Sequence, residues 1–421
     1  MESRQSRKLA LAVSIAGNLV VLGYFKYANF FVDNINTLSG AGLVLRSIVL
    51  PLGISFFTFQ KIALLVDAYQ GKVRTLGFLD YALFVSFFPQ LIAGPIVHHS
   101  EVMSQFHARG RVSADAIALG AAIFAIGLGK KVLLADALAA YATPQFDAAA
   151  AGAALTALAA WTSALAYTLQ LYFDFSGYSD MAVGAALLFG IRLPVNFASP
   201  YKADNIIEFW RRWHMTLSRF LRDYLYIPLG GNRRGRARRY VNLFVTMLLG
   251  GLWHGAGWTF VIWGGLHGLF LAANHAWQAL RTRIGGNLLQ PNPVGRVAGR
   301  CLTFLAVVVA WVFFRSDDVP AAFAMLRAMT GSNGSGIGAG DLYQTTAWPL
   351  IALLLAFVWV SPNVQEITGY MPPSGRVGDD QTLSPSLRWR ATAGWAMLCG
   401  GVFALSLLSL SKVSEFLYFQ F

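Results

Sequence analysis

Long apolar runs broken by short polar islands recur along the whole chain. A helix needs roughly 20 predominantly apolar residues to cross a bilayer. By that measure the candidate spans are 8–31, 43–68, 78–97, 113–137, 151–173, 178–193, 240–253, 256–279, 299–315, 344–361 and 389–411. The pattern predicts an all-α polytopic membrane protein with roughly 9–11 membrane helices, built as a single membrane-embedded unit over residues 1–421. Pro51 and Gly53 interrupt the second run, and Pro89, Gly94 and Pro95 the third, so both read as broken or re-entrant segments. Such backbone survives at membrane depth only when protein or a cavity surrounds it. The run 178–193 is too short to span untilted, and 240–253 with 256–279 read as a kinked or re-entrant pair. The polar islands 332–343 and 371–388 read as loops.

One apolar stretch has the wrong pattern for a span. In "NIIEFWRRWHMTLSRFLRDYLYIPLGG", 205–231, a helical wheel puts Phe209, Trp210, Trp213, Leu217, Phe220, Leu221 and Tyr224 in one sector. Glu208, Arg212, Arg219 and Asp223 oppose them. Arg211, His214, Ser218 and Arg222 fall at the boundary. This pattern predicts an amphipathic helix lying in the membrane interface, ended by Pro228 and the pair Gly230–Gly231. The adjoining "NRRGRARR", 232–239, holds five arginines. Excess basic charge marks cytoplasmic loops, so this loop, and the N-terminus with it, is expected on the cytoplasmic side.

Composition agrees with the pattern. Of 421 residues, 56% are hydrophobic and only 13% charged, against about 25% charged in soluble domains. The net charge of +13 lies in loops between apolar runs, which the positive-inside rule explains better than nucleic-acid binding does. Cys301 and Cys399 sit in or beside apolar runs and imply neither a disulfide framework nor a metal site. The basic N-terminal flank and its apolar run lack a clear small-residue cleavage site, so the first run reads as a retained helix.

Ionisable groups at membrane depth are functional-site candidates by default. His254 lies in "GGLWHGAG", where glycines allow close approach of a backbone or a substrate. If its helix starts near Tyr240, His254 lies about 21 Å along it, deep in a hydrocarbon core about 30 Å thick. A neutral imidazole there suits general-base work, or a hydrogen bond between helices. His214 reads either as a snorkelling group or as a functional one. His267 and His275 read as structural, and His98, His99 and His107 as solvated loop residues. Asp174 and Asp180 in "QLYFDFSGYSDMAVG" sit between apolar runs. They read either as a polar wall of a substrate cavity or as a helix–loop junction, with Lys130 and Lys131 as candidate counter-charges. The sequence has no G-x-S-x-G elbow, no Walker A motif and no zinc-type Cys/His spacing. No histidine is followed by aspartate five positions later, so the soluble acyltransferase arrangement is excluded.

Several segments together resemble the membrane-bound O-acyltransferases, specifically the bacterial branch that contains the alginate O-acetyltransferase membrane subunit. They are "EFWRRWHMTLSRFLRDYLYIPLGGNRRG", "GGLWHGAGWTFVIWGGLHG", "LPLGISFFTFQKIALLVDAYQG", "DYALFVSFFPQLIAGPIV", "LYFDFSGYSDMAVG", "WVFFRS" and the terminal "FLYFQF". The resemblance implies helices around a central tunnel, with His254 as the catalytic base and His214 as a second catalytic residue. Trp253, Arg211, Arg222, Asp174 and Asp180 are its expected substrate-binding residues. It implies acetyl-CoA as a donor substrate, with no bound cofactor and no metal. The expected surroundings are membrane lipids, an exported polysaccharide acceptor, periplasmic or extracellular acetyltransferase partner proteins, and the cell inner membrane. The alternatives are a non-catalytic transporter or flippase, or the same fold acting on peptidoglycan, teichoic acid or cellulose. Relatives carry more apolar sequence ahead of the segment resembling "LGYFKYANFF". Either one or two N-terminal helices are therefore missing from this chain, or its start is misassigned.

Overall fold

The computed structural model describes residues 4–45, 48–73, 76–92, 94–108, 111–284, 293–334, 342–373, 375, 387–410 and 417. The islands 332–343 and 371–388 and the terminal "FLYFQF" fall largely outside them. Among the described residues all regular structure is helical, as the apolar periodicity predicts.

The helices in chain order are α1 (Arg4–Leu22), α2 (Ala28–Ser39), α3 (Ile54–Tyr69), α4 (Phe78–Ser86), α5 (His99–Phe106) and α6 (Ala114–Gly129). Then come α7 (Asp136–Ala150), α8 (Ala157–Leu188), α9 (Ile206–Arg212), α10 (Met215–Leu221), α11 (Arg236–His254) and α12 (Trp258–Arg283). The last are α13 (Pro293–Arg315), α14 (Val319–Met329), α15 (Leu342–Thr345), α16 (Ala347–Val360), α17 (Val364–Thr368) and α18 (Ala393–Ser409). A wide π-turn at Gly23–Tyr27 joins α1 to α2, and another at Lys130–Ala135 joins α6 to α7. Among the described residues, four helical stretches are long and apolar enough to cross a membrane by length and composition: Arg4–Ser39, Ala114–Ala150, Pro293–Arg315 and Tyr343–Val360.

The breaker residues act where the sequence places them. Gly53, at φ 71°, precedes α3 and leaves residues 48–53 outside any helix. After α4 the chain makes a short 3₁₀ turn at Phe88–Gln90 and then runs without helix to α5. Ile96 and Val97 are buried there, so this irregular backbone is wrapped in protein, as a membrane setting demands.

The expected pair of runs 151–173 and 178–193 is instead one 32-residue helix, α8. Its Thr156 cap accepts from the Ala159 amide at 3.2 Å, and no breaker interrupts it. Gly177, between Asp174 and Asp180, permits close packing. A Cβ there would come within 2.6 Å of the Gly127 carbonyl on α6, and one on Gly184 within 2.6 Å of Gly120 O. Small residues at such spacing let helices in a membrane approach closely. Most residues of α8 are buried, and α6, α7, α13 and α16 pack around it.

Candidate active site

The run pair 240–253 and 256–279 forms a helical hairpin, α11 and α12, joined through Gly255–Gly257. A Cβ on Gly251 would collide with the Phe260 carbonyl and come 3.0 Å from Gly264 Cα, so two glycines face each other where the helices touch. That close approach is the reason for the glycine-rich setting of His254. It ends α11 with its ring 4.9 Å from Trp253, 5.0 Å from Trp263 and 5.3 Å from Phe314 between centroids.

The segment 205–231 is not one helix lying in the interface. It breaks at Trp213–His214 into α9 and α10, and a third wide turn at Arg222–Tyr226 follows. His214 takes φ 41°, a left-handed conformation that a residue with a side chain adopts at a cost of about 1–3 kcal/mol and that concentrates at functional sites. The break lets the aromatic sector enter the protein core instead of lipid: Trp213 packs on Trp311 and Phe197, each 5.0 Å away between centroids. Residues beside the break are tied to the strand-like stretch before α9. Met215 N–H donates to Asn196 O and Ala198 N–H to Arg212 O, both at 3.0 Å.

His214 is therefore not a boundary group among headgroups; it is 0% exposed. Its Nδ1 lies 3.4 Å from Asn196 Oδ1. That oxygen also accepts from the Thr216 hydroxyl at 2.6 Å, and the Asn196 amide donates to Ser179 Oγ at 3.2 Å. An amide oriented this way accepts a hydrogen bond from Nδ1–H and leaves Nε2 as the basic nitrogen, which is the logic of tautomer selection. His214 Nε2 is buried and has no hydrogen-bond partner among the described residues. Phe175 meets the His214 ring edge-on at 4.8 Å, and the rings of His214 and His254 lie 6.4 Å apart. Two residues from separate sequence motifs thus meet in the interior.

Two cavities lie close to this pair. One, of about 720 Å³, is lined by Arg211, Arg219, Arg222, Arg239, His275 and by Met215 and Thr216, which follow His214 in the chain. Arg219 is held by Glu101 through two contacts at 2.7 and 2.8 Å, and Arg222 by Asp223 at 2.7 Å. Among the described residues, Arg211 and Arg239 have no carboxylate within ion-pair distance. The second cavity is narrow and lined by His254, Trp253, Lys26, Ser55 and Phe56, with Gly53 and Ile92 at its rim.

Of the residues expected at the site, Arg211 and Arg222 line the first cavity, His254 and Trp253 line the second, and His214 lies beside His254. Asp174 and Asp180 line neither. They face away from the side of α8 that carries Phe175 and Ser179, and form buried ion pairs with Lys131 at 2.7 Å and Lys130 at 2.6 Å. The counter-charges are the expected ones, but the contacts join helices. His267 is buried and accepts from Trp210 Nε1 at 3.2 Å. His275, expected to be structural, lines the arginine cavity.

His98, expected to be solvated, is mostly enclosed. Its Nδ1 lies 3.0 Å from the Tyr224 hydroxyl, which donates to Asp67 at 3.0 Å. Burial, with the Asp67 carboxylate beside it, holds the Tyr224 phenol well above its ordinary pKa, so it remains the donor. Sequence reasoning missed Asn196, Lys26 and Tyr27. For Lys26 a signal was present: a lysine inside the first apolar run, where charge is costly. Asn196 had none, since its role depends on the backbone break eighteen residues on.

The model of the membrane-bound O-acyltransferase family matches residues 9–311. The chain is 47% identical to the peptidoglycan O-acetyltransferase of Helicobacter pylori over 355 residues, covering 78% of this chain and 66% of that protein. It is 41% identical to a probable alginate O-acetylase of Azotobacter vinelandii over 444 residues, covering 99% of this chain and 86% of that protein. A more distant likeness, 28% over 272 residues, links it to the teichoic acid D-alanyltransferase of Bacillus subtilis, covering 62% of this chain and 66% of that one.

Proposed function

The chain belongs to the membrane-bound O-acyltransferase family, and on that premise we propose that it moves an acetyl group from cytosolic acetyl-CoA to hydroxyl groups of an exported polysaccharide of the alginate type. The observation that carries the reading is the meeting of His214 and His254 in the interior, with His254 on the narrow cavity and the residues that follow His214, Met215 and Thr216, on the arginine cavity. The arginine cavity suits the donor: guanidinium groups bind phosphate oxygens through charge-assisted hydrogen bonds, and coenzyme A carries several. The cavity lining includes Asn232 and Arg239 of the basic segment 232–239, which under the positive-inside rule supports a donor on the cytoplasmic side. The narrow cavity beside His254 suits the acceptor hydroxyl.

In this mechanism His254 takes the proton of the acceptor hydroxyl as its oxygen attacks the thioester carbonyl. A C–O bond forms, the C–S bond breaks, and the proton passes to the departing thiolate. Enclosure by Trp253, Trp263 and Phe314 keeps water from competing for the acyl group. The acceptor assignment draws on the alginate-type relatives, which align with nearly the whole chain. A peptidoglycan acceptor is the second reading, favoured by the 47% identical Helicobacter pylori protein. In either case periplasmic or extracellular acetyltransferase proteins would accept or deliver the group beyond the inner membrane.

The test is acetyl-ester content of the secreted polysaccharide and of isolated peptidoglycan, with and without the gene. Loss from the polysaccharide alone supports the first reading, and loss from peptidoglycan alone the second. No change in either, with a lipid-linked precursor trapped on the cytoplasmic leaflet, supports a flippase instead.

A further inference from the structure

An α-helix leaves its last four carbonyls without partners inside the helix. In α11 these belong to Gly251, Leu252, Trp253 and His254. The Gly255 amide reaches Gly251 O at 3.4 Å. The other three carbonyls are met from the far end of the sequence. The Tyr27 hydroxyl donates to Leu252 O at 2.7 Å. The Lys26 ammonium donates to Trp253 O at 2.5 Å and to His254 O at 3.0 Å, and its third proton goes to Ser55 Oγ at 3.3 Å.

Both donors end the π-turn Gly23–Tyr27. Wide turns inside α-helices are rare and cluster at functional sites. Lys26 has no carboxylate partner among the described residues. Its positive charge is instead matched by the negative end of the α11 dipole and by the Trp253 ring, whose centroid lies 5.9 Å from Nζ. An ammonium at this depth carries a desolvation cost that a neutral donor would avoid. It also lines the narrow cavity beside His254.

We propose that Lys26 is a positioning residue for acyl transfer, clamping the carbonyl end of α11 so that the His254 imidazole is held against His214, with Tyr27 securing the preceding carbonyl. This rests on the reading of His254 as the residue that handles the acceptor proton. The clamp joins the N-terminal helix to the reacting centre across more than two hundred residues of sequence. An amino group suits this position because it can donate to two carbonyls of a helix C-terminus at once, which a single hydroxyl proton cannot do.

The experiment uses the full chain in lipid vesicles, with labelled acetyl-CoA as donor and an alginate oligosaccharide as acceptor. Lys26→Met, Lys26→Arg and Tyr27→Phe are compared with wild type. Misplacing a reacting group by about 1 Å can cost on the order of 10²-fold, so Lys26→Met is expected to lower kcat by roughly 10- to 100-fold. KM for acetyl-CoA should stay within about twofold, since Lys26 is remote from the arginine cavity; Lys26→Arg should restore most of kcat, and Tyr27→Phe should fall between. Site-resolved carbethoxylation of His254, read by mass spectrometry, reports ring placement without turnover and is expected to quicken in Lys26→Met. If wild type fails to turn over, direct transfer from this chain to the oligosaccharide fails and carbethoxylation alone decides the clamp. Unchanged kcat and unchanged modification in Lys26→Met overturn the proposal. So does a loss of activity that Lys26→Arg does not relieve and that only follows a lowered melting temperature.

Discussion

The imidazole rings of His214 and His254 lie 6.4 Å apart and inclined at 61°, although one begins α10 and the other ends α11. Only 0% and 4% of their surfaces are exposed. At this separation one reacting group can touch both rings directly or through a single water, the reach that proton transfer needs. The roles are unlike. His254 borders the narrow cavity, whereas His214 is oriented through Asn196 and stands behind it.

Replacing His254 with alanine is expected to abolish transfer while the protein still inserts and folds. Loss of a general base costs about 10²- to 10⁴-fold. The measurement is acetyl transfer per unit of folded protein, checked by size-exclusion profile and melting temperature. Retention of more than a few per cent of wild-type rate removes His254 from the mechanism.

His214 should act on turnover rather than on donor affinity. A residue at the headgroup boundary would change KM for acetyl-CoA, but His214 is buried beside His254 and does not line the arginine cavity. His214→Ala is expected to lower kcat by about 10²-fold with KM nearly constant. Asn196→Ala should move kcat in the same direction by less, because it frees the tautomer without removing the ring. A raised KM with intact kcat would return His214 to a donor-binding role.

Much of this was legible in the sequence, for identifiable reasons. Apolar periodicity marked the long helices, and Gly53 and Pro89 marked real breaks, because both signals are local. His254 was legible because its glycines create a requirement, close helix contact, that shows in composition. The break at His214 was not legible: an unbroken amphipathic pattern runs through 205–231, and only the core formed by Trp311 and Phe197 makes the left-handed turn worth its strain. The continuity of α8 was hidden by Asp174 and Asp180, which look like a junction until their lysines are seen to neutralise them. Contacts such as Lys26 with the end of α11 depend on tertiary packing alone.

The segment 232–239 should face the cytoplasm. Its side chains from Asn232 to Arg238 are exposed. Gly235 takes φ 86°, which strains any side chain, so Arg233→Cys is the better probe. The background should carry Cys301→Ser, since Cys301 is exposed and Cys399 buried. An impermeant thiol reagent is expected to label the probe only after the inner face is opened. Labelling in intact cells would invert the topology and move the donor to the other side.

Arg211 and Arg239 should bind donor phosphate. A hydrogen bond to a charged group contributes about 1.5–3 kcal/mol, so Arg211→Ala or Arg239→Ala should raise KM for acetyl-CoA roughly 10-fold or more. The kcat value should change little. The wild-type KM should also rise with salt, and less steeply in the variants, because screening weakens exposed charge interactions. Equal salt dependence in all three proteins would place the donor elsewhere.

Asp180 and Lys130 should prove structural. The pair is buried at 2.6 Å between α8 and the π-turn after α6, and removing one partner strands the other charge. Breaking such a pair costs about 3–5 kcal/mol, whereas replacing both partners with apolar groups is often nearly neutral. Lys130→Met is therefore expected to lower the melting temperature and the yield of folded protein sharply. Asp180→Leu in the same chain should recover most of both. Transfer per folded molecule should stay close to wild type in the double variant, because neither side chain reaches the cavities at the histidines. The decisive comparison is activity normalised to folded protein. If the double variant folds as well as wild type yet has lost transfer, Asp180 acts on substrate and the helix-joining role assigned to it here is wrong.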